Sequence, residues 1–157
     1  MVKENMSKAQ KLTFSAMIMA LYIVVLYFTQ SFSFGAYQIR IATSLYGLSY
    51  LFPFLVLPLG FANFIANMLF GGCIVGIVTT AIIVLIRRQG WSRWLMILPI
   101  ILVPGLGVST YLSYLLHVPY SALALSLCIG QTVPAICGAV LVNVLQRALY
   151  PQKIKAD

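Results

Sequence analysis

Three stretches without a charged side chain dominate this sequence: residues 12–39, 41–86 and 94–146, of 28, 46 and 53 residues. A helix needs about 20 apolar residues to cross the hydrocarbon core of a bilayer. Backbone polar groups in hydrocarbon must be satisfied within the protein, so long apolar runs favour spanning helices over loops. The remainder of the chain offers no alternative. With 62% hydrophobic and 8% charged residues, too little polar material exists to coat a water-soluble domain of 157 residues. The expectation is a single all-α integral membrane domain over residues 1–157.

The positions of the charges set the topology. The cations fall into clusters at Lys3/Lys8/Lys11, Arg87/Arg88/Arg93 and Arg147/Lys153/Lys155, which the positive-inside rule assigns to the cytoplasm. Arg40 follows one span and is therefore expected outside, alone. An odd number of crossings must link Arg40 to Arg87, and a run interrupted by Pro58, Gly60 and Gly71–Gly72 fits three. An even number must link Arg93 to Arg147, and two fit. The prediction is a compact six-helix bundle with both termini cytoplasmic and spans at about 11–31, 41–56, 58–71, 73–87, 94–115 and 120–146. Spans three and four are expected to be short, and to need thinned or protein-buried surroundings. The first apolar run is longer than a leader's apolar region and lacks a small-residue cleavage site, so it is expected to remain as a helix.

The same arithmetic excludes whole classes of chemistry. The two carboxylate side chains are Glu4 and Asp157. Paired-carboxylate acid/base catalysis, carboxylate-held divalent ions and an intramembrane proton relay all require acids elsewhere. Cys73, Cys128 and Cys137, with the single His117, show no metal-ligand spacing, and the thiols are expected to be buried and inert. There is no phosphate-binding GxxxxGK[ST] loop. No enzyme activity, cofactor or metal is expected. Nine of the ten cations serve as an orientation signal, so nucleic acid is not an expected partner.

Four features are candidates for function. Ala16 and Ala20 lie four apart on the first helix and make a smooth patch for close helix approach, either within the bundle or against a partner. Gly72 and Gly76 form a second such pair, read as internal packing. The segment from Phe32 to Arg40 combines Phe34, Tyr37 and Gln38 with the external cation. It reads either as an interface anchor with Arg40 snorkelling to lipid phosphates, or as a lid whose aromatics stack on a flat ligand while Gln38 or Arg40 reads its carbonyl edge. Asn63, Asn67, Gln131 and Asn143 lie within the apolar runs and must face the protein interior. Asn67 is placed nearer the outer mouth than Asn63. Pro134 frees a backbone carbonyl near Gln131, a favourable place for a polar ligand, whereas Asn143 is read as structural. His117, between spans five and six, is either a solvated loop residue or a donor on the rim of the same cavity.

These residues carry a resemblance. The pair Ala16-x-x-x-Ala20 resembles the motif by which substrate-binding S components of energy-coupling-factor (ECF) transporters dock on their coupling subunit. The run Phe34-Gly35-x-x-Gln38-x-Arg40 resembles the F-G-x-x-Q-x-R signature of the QueT type, linked to uptake of queuosine precursors. Ala66-Asn67 followed by Gly71-Gly72 fits the same pattern. The resemblance implies an S-component fold in the bacterial plasma membrane. It implies an outside-facing small-molecule site at Phe34, Gln38, Arg40 and Asn67, to which the reading of the residues themselves adds Tyr37, His117 and Gln131. It further implies a transmembrane coupling subunit docked at Ala16 and Ala20, and two cytoplasmic ATPases that supply the energy. Where the family follows its Arg with Ser-Glu, this chain has Ala42-Thr43, and the acidic residue usual between helices three and four is absent. A neutral or anionic heteroaromatic ligand read by amides, hydroxyls and Arg40 fits that departure. The alternatives are a non-transport scaffold of similar fold, like the rod-shape factor MreD, and a stand-alone small-molecule facilitator.

Overall fold

The computed structural model describes the backbone of residues 6–29, 39–67 and 70–149, and the side chains of residues 6–29, 39–66 and 73–149. The described residues form an all-helical chain: α1 (Lys8–Phe28), a 3-10 segment (Ile41–Gly47) that continues into α2 (Leu48–Leu51), a 3-10 turn (Pro53–Leu55) leading into α3 (Val56–Asn67), α4 (Phe70–Arg88), a 3-10 turn (Arg93–Met96) leading into α5 (Ile97–Leu116), and α6 (Tyr120–Leu149). Three of these, Lys8–Phe28, Arg93–Leu116 and Tyr120–Leu149, are long and apolar enough to cross a membrane.

Helix α1 starts where Ser7 and Gln10 cap it reciprocally: Ser7 Oγ accepts from the Gln10 N–H at 3.2 Å, and Gln10 Oε1 accepts from the Ser7 N–H at 2.8 Å. Its buried residues Ser15, Ile18, Tyr22 and Leu26 recur at helical spacing and form one narrow inward stripe. Only 22% of its apolar stretch is buried, against 44% for α6, so α1 stands at the edge of the bundle with a wide face uncovered.

The second expected span, 41–56, is not one helix. Its first part is a seven-residue 3-10 run, longer than the three or four residues usual for that geometry. Tertiary packing holds it there. A Cβ on Gly47 would lie 3.0 Å from the Gly138 carbonyl oxygen, and one on Gly138 would lie 2.7 Å from the Ser44 carbonyl oxygen. The segment therefore presses its backbone directly onto α6, with Ala42, Thr43, Leu45, Tyr46 and Gly47 all buried. At about 2.0 Å per 3-10 residue and 1.5 Å per α residue, Ile41–Leu51 covers roughly 20 Å. The helix ends at Phe52, which the following proline pushes out of the helical region (φ −125°, ψ 85°). Pro53 is thus the breaker, whereas Pro58 sits in the first turn of α3, where a missing N–H costs no intrahelical bond.

The lengths of the next two helices also depart from expectation. Helix α4 has 19 residues, about 28 Å, so it is not short; the short elements are the second and third, with α3 having 12 residues, about 18 Å. Helices α3 and α4 meet at two glycines: a Cβ on Gly76 would lie 3.1 Å from Gly60 Cα. Gly76 does pack internally. Helix α5 approaches α6 where Gly105 faces Cys128, leaving 2.5 Å between Cys128 Sγ and a hypothetical Cβ. The thiols are not uniformly buried as expected. Cys73 is buried, Cys128 is half-buried against Gly105, and Cys137 is exposed on the outer face of α6.

Polar contacts identify the two ends of the bundle. At one end, Arg87 donates to the Leu51 carbonyl at 2.8 Å, closing the C-terminus of α2. Arg93 donates to Asn143 Oδ1 at 2.8 Å and Gln146 Oε1 at 3.2 Å, which gives Asn143 the structural role expected of it. Lys11 Nζ lies 5.7 Å from the centroid of the Phe54 ring, which clusters with Phe14 and Phe52. The described residues of the basic clusters therefore gather at one end. The start of the 3-10 segment, the end of α3 and the α5–α6 turn lie at the other.

Candidate functional site

Buried polar side chains converge in the half of the bundle away from the basic end. Arg40, Thr43, Asn63, Ser109 and Gln131 are each buried, and so are Tyr22 and Tyr46. In an apolar interior such groups are tolerated when they partner one another or a ligand.

The first half of the cluster is aromatic. Tyr22 of α1 and Tyr46 of the 3-10 segment stack face to face, with centroids 5.8 Å apart and ring planes 9° from parallel. Tyr22 Oη donates to Asn63 Oδ1 on α3 at 3.2 Å. Its proton being so engaged, Tyr46 Oη is the donor in the 3.4 Å contact between the two hydroxyls. Gly76 gives Tyr46 its space: a Cβ there would stand 3.1 Å from Tyr46 Oη.

The second half centres on Thr43. Its Oγ1 lies 2.7 Å from the Arg40 carbonyl oxygen and 2.7 Å from the terminal amide of Gln131 on α6. The Thr43 N–H also donates to the Arg40 carbonyl, at 3.0 Å, which starts the 3-10 run. Arg40 is 5% exposed, so of its two readings the interface anchor snorkelling to lipid does not hold. The 3-10 segment begins inside the bundle and carries Arg40 in with it. Its charge is close enough to act on Tyr22, Tyr46 and the half-buried Tyr111 of α5. Gln131 is fully buried one turn before Pro134, which leaves the Gly130 carbonyl without its helical donor.

The other expected site residues are placed differently. His117 is exposed and is the left-handed C-cap of α5 (φ 54°, ψ 32°). It ends the helix rather than joining the cluster. Asn67 is the last residue of α3, and its side chain lies outside the described residues, as do Phe34, Tyr37 and Gln38. Ala16 and Ala20 are both exposed on the outer face of α1, which rules out packing inside the bundle. Thr43, Tyr22 and Tyr46 belong to the cluster although none was a candidate, and Asn63, a candidate by its place in an apolar run, joins them. A signal was present for Asn63, since an amide in an apolar run needs a partner. The tyrosines carried none, because a tyrosine in a spanning helix reads equally well as core.

Apolar helices of spanning length around a buried cation, amides and hydroxyls are the make-up of a multi-pass membrane protein. The family model for the QueT transporter matches residues 12–147, and the chain belongs to that family. It is therefore a membrane transporter for a small molecule, in a family of transporters rather than of enzymes. No curated protein and no solved structure matches the chain.

Proposed function

We propose that this chain is the substrate-binding S component of an ECF-type importer in the bacterial plasma membrane. It captures a small heteroaromatic, queuosine-precursor-like molecule from outside and delivers it to the cytoplasm. A transmembrane coupling subunit and two ATPases provide the energy. The observation that carries this reading is Arg40, buried in the same half of the bundle as the buried Thr43, Gln131, Tyr22 and Tyr46, remote from the basic end. With the basic end in the cytoplasm, as the positive-inside rule requires, both termini are cytoplasmic and this site opens toward the outside.

Two further observations support the division of labour. The exposed Ala16 and Ala20 present small residues on the least covered helix, as a docking surface for another membrane helix. The sequence has no carboxylate between Glu4 and Asp157 with which to couple transport to protons, so concentrative uptake needs an external source of energy.

Mass spectrometry of small molecules released from the purified protein tests the reading directly. A heteroaromatic compound bound by the wild type and lost in Arg40→Ala is the expected result. Protein that binds none, and tolerates Arg40→Ala without change, would point instead to an MreD-like scaffold. Flux into liposomes without ATPases would identify a facilitator.

A further inference from the structure

The contact between Thr43 and Gln131 contains a proton-counting problem whose solution specifies a ligand. Thr43 Oγ1 lies 2.7 Å from the Arg40 carbonyl oxygen and 2.7 Å from Gln131 Oε1. A hydroxyl has a single proton and cannot donate to both oxygens. With Oε1 toward Thr43, the Gln131 Nε2 group is buried with no hydrogen-bond partner. A buried amide N–H2 without an acceptor is the costlier kind of unsatisfied group. Turning the amide by half a rotation resolves the double donation and gives one of the two Nε2 hydrogens an acceptor. Nε2 then donates to Thr43 Oγ1, and the Thr43 proton goes to the Arg40 carbonyl. Gln131 Oε1 is left as an acceptor inside the protein, facing where Nε2 faced before.

We infer that Thr43 orients the Gln131 amide so that Oε1 accepts an N–H from the transported molecule. This rests on the functional reading above and narrows it. An accepting oxygen buried in the protein matches a ligand edge that carries an N–H, as the lactam N–H of a neutral heterocycle does. The acceptor is an uncharged amide, and no carboxylate lies between Glu4 and Asp157. The site therefore favours the neutral heterocycle over one bearing an ammonium group. Thr43 acts here as a positioning residue and Gln131 as the specificity-determining one.

The test measures binding of three probes to purified full-length protein by calorimetry: 7-deazaguanine, its 1-methyl derivative and its 7-aminomethyl derivative. Wild type is expected to bind 7-deazaguanine best. Thr43→Val removes the orienting hydroxyl at nearly constant volume. It should reduce the preference for N–H over N-methyl about tenfold, the weight of one buried neutral hydrogen bond. Thr43→Ser should restore the preference, which a purely structural loss would not explain. Gln131→Glu should shift preference toward the aminomethyl probe. A Thr43→Val protein that binds both neutral probes equally less well, with their ratio unchanged, overturns the inference and leaves the functional reading intact. A wild type that binds none of the three probes, and yields no heteroaromatic compound on purification, overturns both.

Discussion

Gly138 on α6 receives the Ser44 carbonyl of the 3-10 segment so closely that a methyl group at residue 138 would stand 2.7 Å from that oxygen. The obstacle is backbone on both sides, so no side chain can rotate away. Gly138→Ala is therefore expected to push the 3-10 segment outward and destabilise the fold by about 1–3 kcal/mol. Gly107→Ala is the comparison, since its new methyl would meet only the Val75 side chain, at 2.9 Å. Thermal unfolding in detergent should show a larger drop for residue 138 than for residue 107. Equal drops would mean that the backbone contact is not limiting.

The Tyr22–Asn63 hydrogen bond ties α1 to α3 in the buried interior. Tyr22→Phe keeps the stacking on Tyr46 and removes the donor to Asn63. The expected loss is about 1–2 kcal/mol, and a double-mutant cycle with Asn63→Leu should recover roughly 1 kcal/mol of coupling. Additive losses in that cycle would show that the two side chains act independently.

Arg40 is buried at the head of the 3-10 run, so its replacement tests both charge and shape. Arg40→Ala is expected to weaken ligand binding by at least about tenfold. Arg40→Lys should fail to restore it, because an ammonium lacks the planar fork of the guanidinium. Affinity measured on protein that still elutes as a single species decides the matter, and full rescue by lysine would reduce the role of Arg40 to charge alone.

Ala16 and Ala20 make no internal packing contact that bulk would disturb, since both face outward. Ala16→Leu combined with Ala20→Leu should leave ligand binding and thermal stability unchanged while abolishing co-purification with a coupling subunit. Retained assembly would move the docking surface to another face.

The sequence was most legible where length and charge act alone. Helices α1, α5 and α6 follow from uncharged runs ended by basic residues, a constraint that no tertiary contact needs to complete. The second span was misread because the 3-10 geometry of Ile41–Gly47 depends on Gly47 and Gly138 meeting across 91 residues of sequence. Pro58 reads as an interruption in the sequence and Pro53 is passed over, yet a proline breaks a helix only where its N–H would have been used. In the site, Arg40 and Gln131 were identifiable because a cation and an amide in apolar surroundings need partners. Which partners they have was not readable. Thr43 reaches Gln131 over 88 positions, and only the fold brings the two together.

The unequal lengths of the helices have a mechanical consequence. Helix α6 has 30 residues, about 45 Å, and presents Leu125, Ile129, Val133, Ile136, Val140 and Val144 outward. Helix α3, about 18 Å long, presents Leu57, Phe61, Phe64 and Ile65. Lipid tails around the molecule therefore meet a collar that is low on one side and high on the other. Each ångström of mismatch carries a fraction of a kcal/mol in bilayer deformation, and on a lopsided collar these costs combine into a torque. The bilayer around the bundle is therefore deformed unevenly, most beside the short α3.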